Sequence, residues 1–170
     1  AIQVENENYL LPTKEFLDFN QGKQLERKAV KVSEITYWLE RKPDQFNILI
    51  LDACRNNPIP AGTATRNIIQ MGDGGLAEID DISGTLIAFA AKAGKTALDG
   101  SGANSPYAIS LSRNMMLENT SINQVLRNVR AEVQQQTDKA QSPDYTDRST
   151  WKQEFYFNKG NYFNDFKNID

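Results

Sequence analysis

The 170-residue chain contains no histidine and a single cysteine, Cys54. Histidine is the side chain that most readily moves protons near neutral pH and the commonest metal ligand. Its absence leaves a metal site only carboxylates to work with. One cysteine excludes an internal disulfide, and a reducing compartment such as the cytoplasm is the expectation. Long apolar runs are missing as well: none approaches the roughly 18 residues that span a bilayer. The sequence starts at Ala1 and shows no signal peptide. A strong charge of either sign is also lacking. The net charge of −3 gives no electrostatic reason to expect nucleic acid or a membrane as partner.

What is present suits one domain or most of one, with 39% hydrophobic residues to build a modest core. "AIQVENENYLLP" alternates around Ile2 and Val4 and then Tyr9 to Leu11, which reads as a strand or hairpin stopped by Pro12. Residues 13–31 read as polar loop with a short strand near Val30. "SEITYWLERKP" reads as a helix, with Ser33 as N-cap, Ile35, Trp38 and Leu39 on one face, and Pro43 as its stop.

"FNILILD" is a short continuous apolar run, the mark of a strand buried on both faces in a parallel sheet. "GTLIAFA" is a second such run. "SPYAISLSRNMML" opens a helix with Ser105 as N-cap and Pro106 at the first helical position. In "SINQVLRNVRAEVQQQ", Ile122, Val125, Leu126, Val129 and Val133 form one stripe, and Ser121 with Gln124 matches a capping box. Residues 137–150 read as polar loop, and "WKQEFYF" as a closing strand. Helices alternating with buried strands predict an α/β fold with a mainly parallel sheet. Ligands of such sheets bind beyond the carboxyl ends of the strands. Cys54 and the stretch Ala91–Asn104 both follow such ends, so two site-forming loops are expected on one sheet edge.

Several motifs compete for the chemistry. A free cysteine is often a buried filler. Cys54, however, follows Asp52 and precedes Arg55, Asn56 and Asn57. A thiol of pKa near 8.5 needs a base or positive surroundings to react, and no histidine is at hand. "AGKT" at Ala93–Thr96 suggests a phosphate loop, but the position that needs the first glycine is Phe89. "EIDD" at Glu78–Asp81 reads as a solvated face and leaves open a loose calcium site. "NTS" at Asn119–Ser121 reads as a helix start rather than a glycan acceptor.

"LILDACRNNP" resembles the signature of bacterial caspase-like cysteine peptidases, relatives of caspases and metacaspases, in which the catalytic cysteine ends a central strand. "IQVENENYLLP" is similar to the segment after that family's Gly-His motif. "GTLIAFAAKAGKTALDGSGANSPYAISL" is similar to the next strand and the substrate-binding loop. "INQVLRNVRAEV" and "WKQEFYF" resemble its last long helix and closing strand. The resemblance implies a caspase-hemoglobinase fold: a mainly parallel central sheet flanked by helices, with the family's N-terminal strands falling before Ala1. The peptidase domain would span residues 1–157 and a tail residues 158–170.

The same resemblance assigns roles. Cys54 matches the nucleophile, and a histidine preceding Ala1 would be its base. Asp52 and Asp99 match acids that line the pocket for the residue before the scissile bond. Ala90, Ala91 and Ser105 fall in the substrate-binding stretch. Two carboxylates beside a pocket would select Arg or Lys. The sequence departs from the pattern by having no Gly-His and by carrying Ala93 and Gly94 where metacaspases often have acids. It also shows no arginine pair of the kind that selects aspartate. Self-processing between Cys54 and the second strand would fall at Arg66 for a basic preference, or at Asp73, Asp80 or Asp81 for an acidic one. Protein or peptide substrates are implied, with no cofactor; calcium dependence occurs among metacaspases, and no residue cluster here demands it. The rival reading is a pseudo-peptidase that binds without cleaving.

Overall fold

The computed structural model describes residues 1–4, 7–11, 27–42, 44–53, 76–77, 79, 82–93, 95, 97–98, 100 and 102–160. The expected hairpin is there: β1 (Ile2–Val4) and β2 (Glu7–Leu10) pair antiparallel, Ile2 opposite Tyr9. A two-residue β3 (Val30–Lys31) adds to β2. The chain passes straight from β3 into helix α1 (Val32–Glu40).

That direct passage corrects the expected helix. Lys31, not Ser33, occupies the N-cap position, and its side chain makes no capping bond. The Glu7 carboxylate of β2 does the work instead. Its Oε2 accepts from Ser33 Oγ (2.5 Å) and its Oε1 from the Ser33 N–H (3.4 Å). An anion there also suits the positive end of the helix dipole. Because the helix starts at Val32, its buried face carries Val32 and Thr36. Trp38 is left 65% exposed, against Tyr37 in an edge-to-face pair.

Asn47 Nδ2 donates to Leu39 O and ties the end of α1 to the start of β4 (Asn47–Leu51). β4 runs parallel to β5 (Thr85–Phe89), Asn47 opposite Thr85 and Leu51 opposite Phe89. β5 is the buried strand the apolar run predicts. β4 is only half-buried at Ile48–Ile50, because among the described residues it has a neighbour on one side only.

β6 (Asp144–Asp147) completes the described sheet, antiparallel to β5, in a stretch expected to be loop. "DYTD" has no apolar alternation, and its partners are remote in sequence. Arg130 Nε donates to Pro143 O (2.8 Å), its Nη2 bonds Asp144, and its guanidinium lies over the Tyr145 ring. The sheet thus combines one parallel and one antiparallel pair. "WKQEFYF" makes no strand. It contributes one isolated bridge, Ser121 with Tyr156, and sets Phe155 and Phe157 against the core.

Two helices cover one face of this sheet. α2 (Pro106–Met115) starts as expected, and α3 (Ile122–Gln136) buries the whole predicted stripe. The stripe packs with Leu86, Ala88, Ala90, Tyr107 and Leu111. Each fully buried Val or Leu contributes about 1.5–3 kcal/mol of transfer free energy. The Ser121–Gln124 capping box does not form, and the Ile122 N–H at the first helical position donates to Phe155 O (2.8 Å). Gln124 turns instead to Asn128 and Arg127. On the other face, Val32 of α1 packs with Leu51 and Leu76. Asn8 clamps the hairpin to that layer: it accepts from the Ala77 N–H (2.7 Å) and donates to Ala77 O (3.0 Å).

α2 and α3 are bridged by Glu132, whose Oε2 accepts from Ser110 Oγ (2.6 Å) and Arg113 Nη2 (2.7 Å). The Ser110 bond foremost, with help from Arg113 and Asn114, outweighs burial and holds the Glu132 carboxyl below the usual carboxylate range. A carboxylate depressed in the fold stabilises fully above its unfolded pKa and loses that contribution as pH falls through the folded one. Ser110→Ala is therefore expected to lower stability at neutral pH. Its deficit against the wild type should narrow in acid, once Glu132 is protonated in both. Urea unfolding at several pH values checks this, and a deficit that stays constant into acid would contradict it.

Candidate functional site

Parallel pairing brings the carboxyl ends of β4 and β5 together. The ladder runs one step past the strands, with the Ala90 N–H donating to Leu51 O (3.0 Å). Immediately beyond Leu51 the chain leaves the sheet, and Asp52 is exposed there. Beyond Phe89, by contrast, Ala90 and Ala91 are each 1% exposed. Their methyl groups fit the core on which α3 packs.

Ser105 links the end of β4 to α2. Its Oγ accepts from the Ala108 N–H (2.9 Å) as N-cap and donates to Asp52 Oδ2 (2.6 Å). One hydroxyl thus satisfies an orphan helix donor and fixes a carboxylate at the helix N-terminus, where negative charge is favoured. Sequence reasoning names Asp52, Ala90, Ala91 and Ser105 separately, and the structure brings all four to one edge. Cys54 and Asp99 lie outside the described residues, as do Glu78, Asp80 and Asp81 and the possible cut sites Arg66 and Asp73.

Tyr107, in the first turn of α2, is 1% exposed, and its hydroxyl finds no hydrogen-bond partner among the described residues. Burial first, and the Asp52 carboxylate second, push its phenol far above the ordinary tyrosine range. It is a neutral group throughout the working pH range. Its signal in the sequence is faint, since an aromatic just inside a helix start reads as core.

The loop after β5 is held from below by the segment between α3 and β6. The Lys92 N–H donates to Ser142 O (3.0 Å) and the Leu98 N–H to Gln141 Oε1 (3.0 Å). Farther along, Gly100 has φ +76°, and a Cβ there would lie 3.2 Å from Pro106 Cδ. A left-handed backbone against a proline ring calls for glycine. Gln141 is fully buried. Nothing in the polar run "DKAQSPDY" marks it, because its partners are remote backbone groups.

Chemically, the edge offers a fixed anion beside a buried wall of small side chains, two residues before a thiol in the sequence. Among the described residues no cluster of His, Cys, Asp and Glu could hold a metal ion. No described helix is long and apolar enough to cross a membrane.

Because the Tyr107 hydroxyl is buried without a partner among the described residues, Tyr107→Phe is expected to raise stability by about 1 kcal/mol. Urea unfolding measures it, and a loss of stability would mean that the hydroxyl is bonded in the fold.

No curated protein matches the chain. The family model described as caspase domain matches residues 2–156. The match takes in both paired strand ends, helices α2 and α3 and the Asp52–Ser105 contact. The mixed α/β architecture is that of the caspase-hemoglobinase fold. The hydroxyl-fixed carboxylate at the mouth of a parallel strand pair lies within that match, and the chain belongs to the caspase domain family, a cysteine-peptidase-like domain for protein or peptide substrates.

Proposed function

We propose that this chain is part of a cysteine endopeptidase that cleaves after Arg or Lys, with Cys54 as nucleophile. The observation that carries the reading is the Asp52–Ser105 contact: a carboxylate held at 2.6 Å by a helix-capping hydroxyl, beside the end of β5. A fixed, exposed anion at that edge suits a guanidinium or ammonium group on the substrate. Asp99, as a second acid, would strengthen the same preference.

In this reading a histidine from outside these 170 residues takes the Cys54 thiol proton. The thiolate attacks the scissile carbonyl carbon, and the Cys54 backbone N–H helps hold the developing oxyanion. As the C–N bond breaks, the histidine passes its proton to the leaving amine. Water then attacks the thioester, releases the carboxylic acid and restores the thiol. Ala90 and Ala91 form a buried floor beneath the substrate, with the Ala90 backbone bonded to Leu51 and Gln141. Ser105 keeps Asp52 in place.

The absence of histidine from the sequence favours one second reading, a pseudo-peptidase that binds peptides without cleaving them. Fluorogenic peptides ending in Arg, Lys or Asp separate the two, offered to this chain and to a version extended upstream through its histidine. The peptidase reading expects cleavage by the extended form that Cys54→Ala abolishes. Without its base, this chain alone should be slower by about 10²–10⁴-fold. Asp52→Asn should lower kcat/KM for Arg and Lys peptides roughly 10–100-fold, the loss of one charged hydrogen bond. Binding without cleavage by the folded extended protein would support the pseudo-peptidase, and cleavage only after Asp would overturn the basic preference.

A further inference from the structure

Gln141 is a polar side chain with no exposure at all. Burying an amide is costly unless both of its ends are paired. Gln141 pairs both, and with the same loop. Its Nε2 donates to Ala90 O (2.9 Å), and its Oε1 accepts from the Leu98 N–H (3.0 Å). Residues 90 and 98 are the two ends of the loop that leaves β5 at the site edge. A single side chain therefore closes this loop, and only a neutral amide of this length can donate at one end and accept at the other.

The clamp is itself anchored. The Gln141 N–H donates to Thr137 Oγ1 (3.1 Å), and Thr137 Oγ1 donates to Val133 O (2.7 Å) in the last turn of α3. The next residue, Ser142, accepts from the Lys92 N–H through its carbonyl and from Gln134 Nε2 through its hydroxyl. After that, Pro143 O is held by Arg130. The segment from Thr137 to Pro143 is thus tied to a helix that buries five side chains in the core, and the loop hangs from it through Gln141 and Ser142.

We infer that Gln141 is a positioning residue for peptide recognition: it holds the backbone at Ala90 and at Leu98 in its binding geometry before the substrate arrives. The inference rests on the peptidase reading above. A loop already ordered costs less conformational entropy when a peptide binds. Releasing it weakens ground and transition states alike, which raises KM and leaves kcat in place. A purely structural glutamine would behave otherwise: its loss would reduce the fraction of folded enzyme, lowering apparent kcat at unchanged KM.

The test uses the extended protein in cleavage of an Arg-ending fluorogenic peptide, well below its melting temperature. Gln141→Met keeps the side-chain length and removes both hydrogen bonds. It is expected to raise KM about tenfold with kcat within about threefold. Thr137→Val, which removes only the anchor of the clamp, should raise KM in the same direction by less, and Thr137→Ser should restore it. If Gln141→Met fails to fold, the Thr137 pair decides the matter. Lower kcat at unchanged KM in Gln141→Met, or unchanged KM in Thr137→Val, would overturn the role. A wild-type extended protein that neither binds nor cleaves peptides would instead remove the peptidase reading, and this inference with it.

Discussion

The five-residue parallel ladder between Asn47–Leu51 and Thr85–Phe89 is the constraint on which the rest of the site depends. Parallel pairing puts both carboxyl ends on one edge, and a site needs contributions from more than one segment. Neither strand could hold this register alone. Ile48 and Ile50 pack toward the α2 and α3 side, and Leu49 and Leu51 toward α1. A slip of one residue would exchange the two sets and send every side chain to the wrong layer. The same register delivers Asp52 to the start of α2 and Ala90 to the clamp below.

From that edge outward, each polar group is fixed by one that already has a structural task. Ser105 must cap α2, and its remaining hydrogen holds Asp52. Gln141 must satisfy its own buried amide, and in doing so closes the loop after β5. Gly100 must turn the chain against Pro106 before α2 begins. At these positions the groups proposed to serve the site also hold the fold. Tyr107 is the exception: its buried hydroxyl lacks a partner among the described residues and adds cost beside the Asp52 charge.

The sequence was most legible where the interactions are local. Ser105 with Pro106, and the stripe from Ile122 to Val133, announce α2 and α3 because capping and periodicity lie within a few residues. The two apolar runs likewise reveal β4 and β5, and with them the shared edge. Reading failed where long-range partners decide. β6 is polar and owes its place to β5 and Arg130. The start of α1 is set by Glu7, 26 residues away from Ser33. "WKQEFYF" has strand composition, yet its backbone serves the N-terminus of α3. At the site, Asp52 and Ser105 were visible as separate residues, and their contact, like the Gln141 clamp, was not. The resemblance to caspase-like peptidases supplied what spacing could not, the role proposed for Cys54.

The most direct measurement is covalent trapping of the extended protein with a peptidyl acyloxymethyl ketone ending in Arg, read by mass spectrometry. A thiolate activated at this edge predicts one adduct, mapped to Cys54, and slower labelling by the same reagent ending in Asp. A folded protein that leaves Cys54 unlabelled by both reagents would contradict the assignment of this edge as a peptidase site.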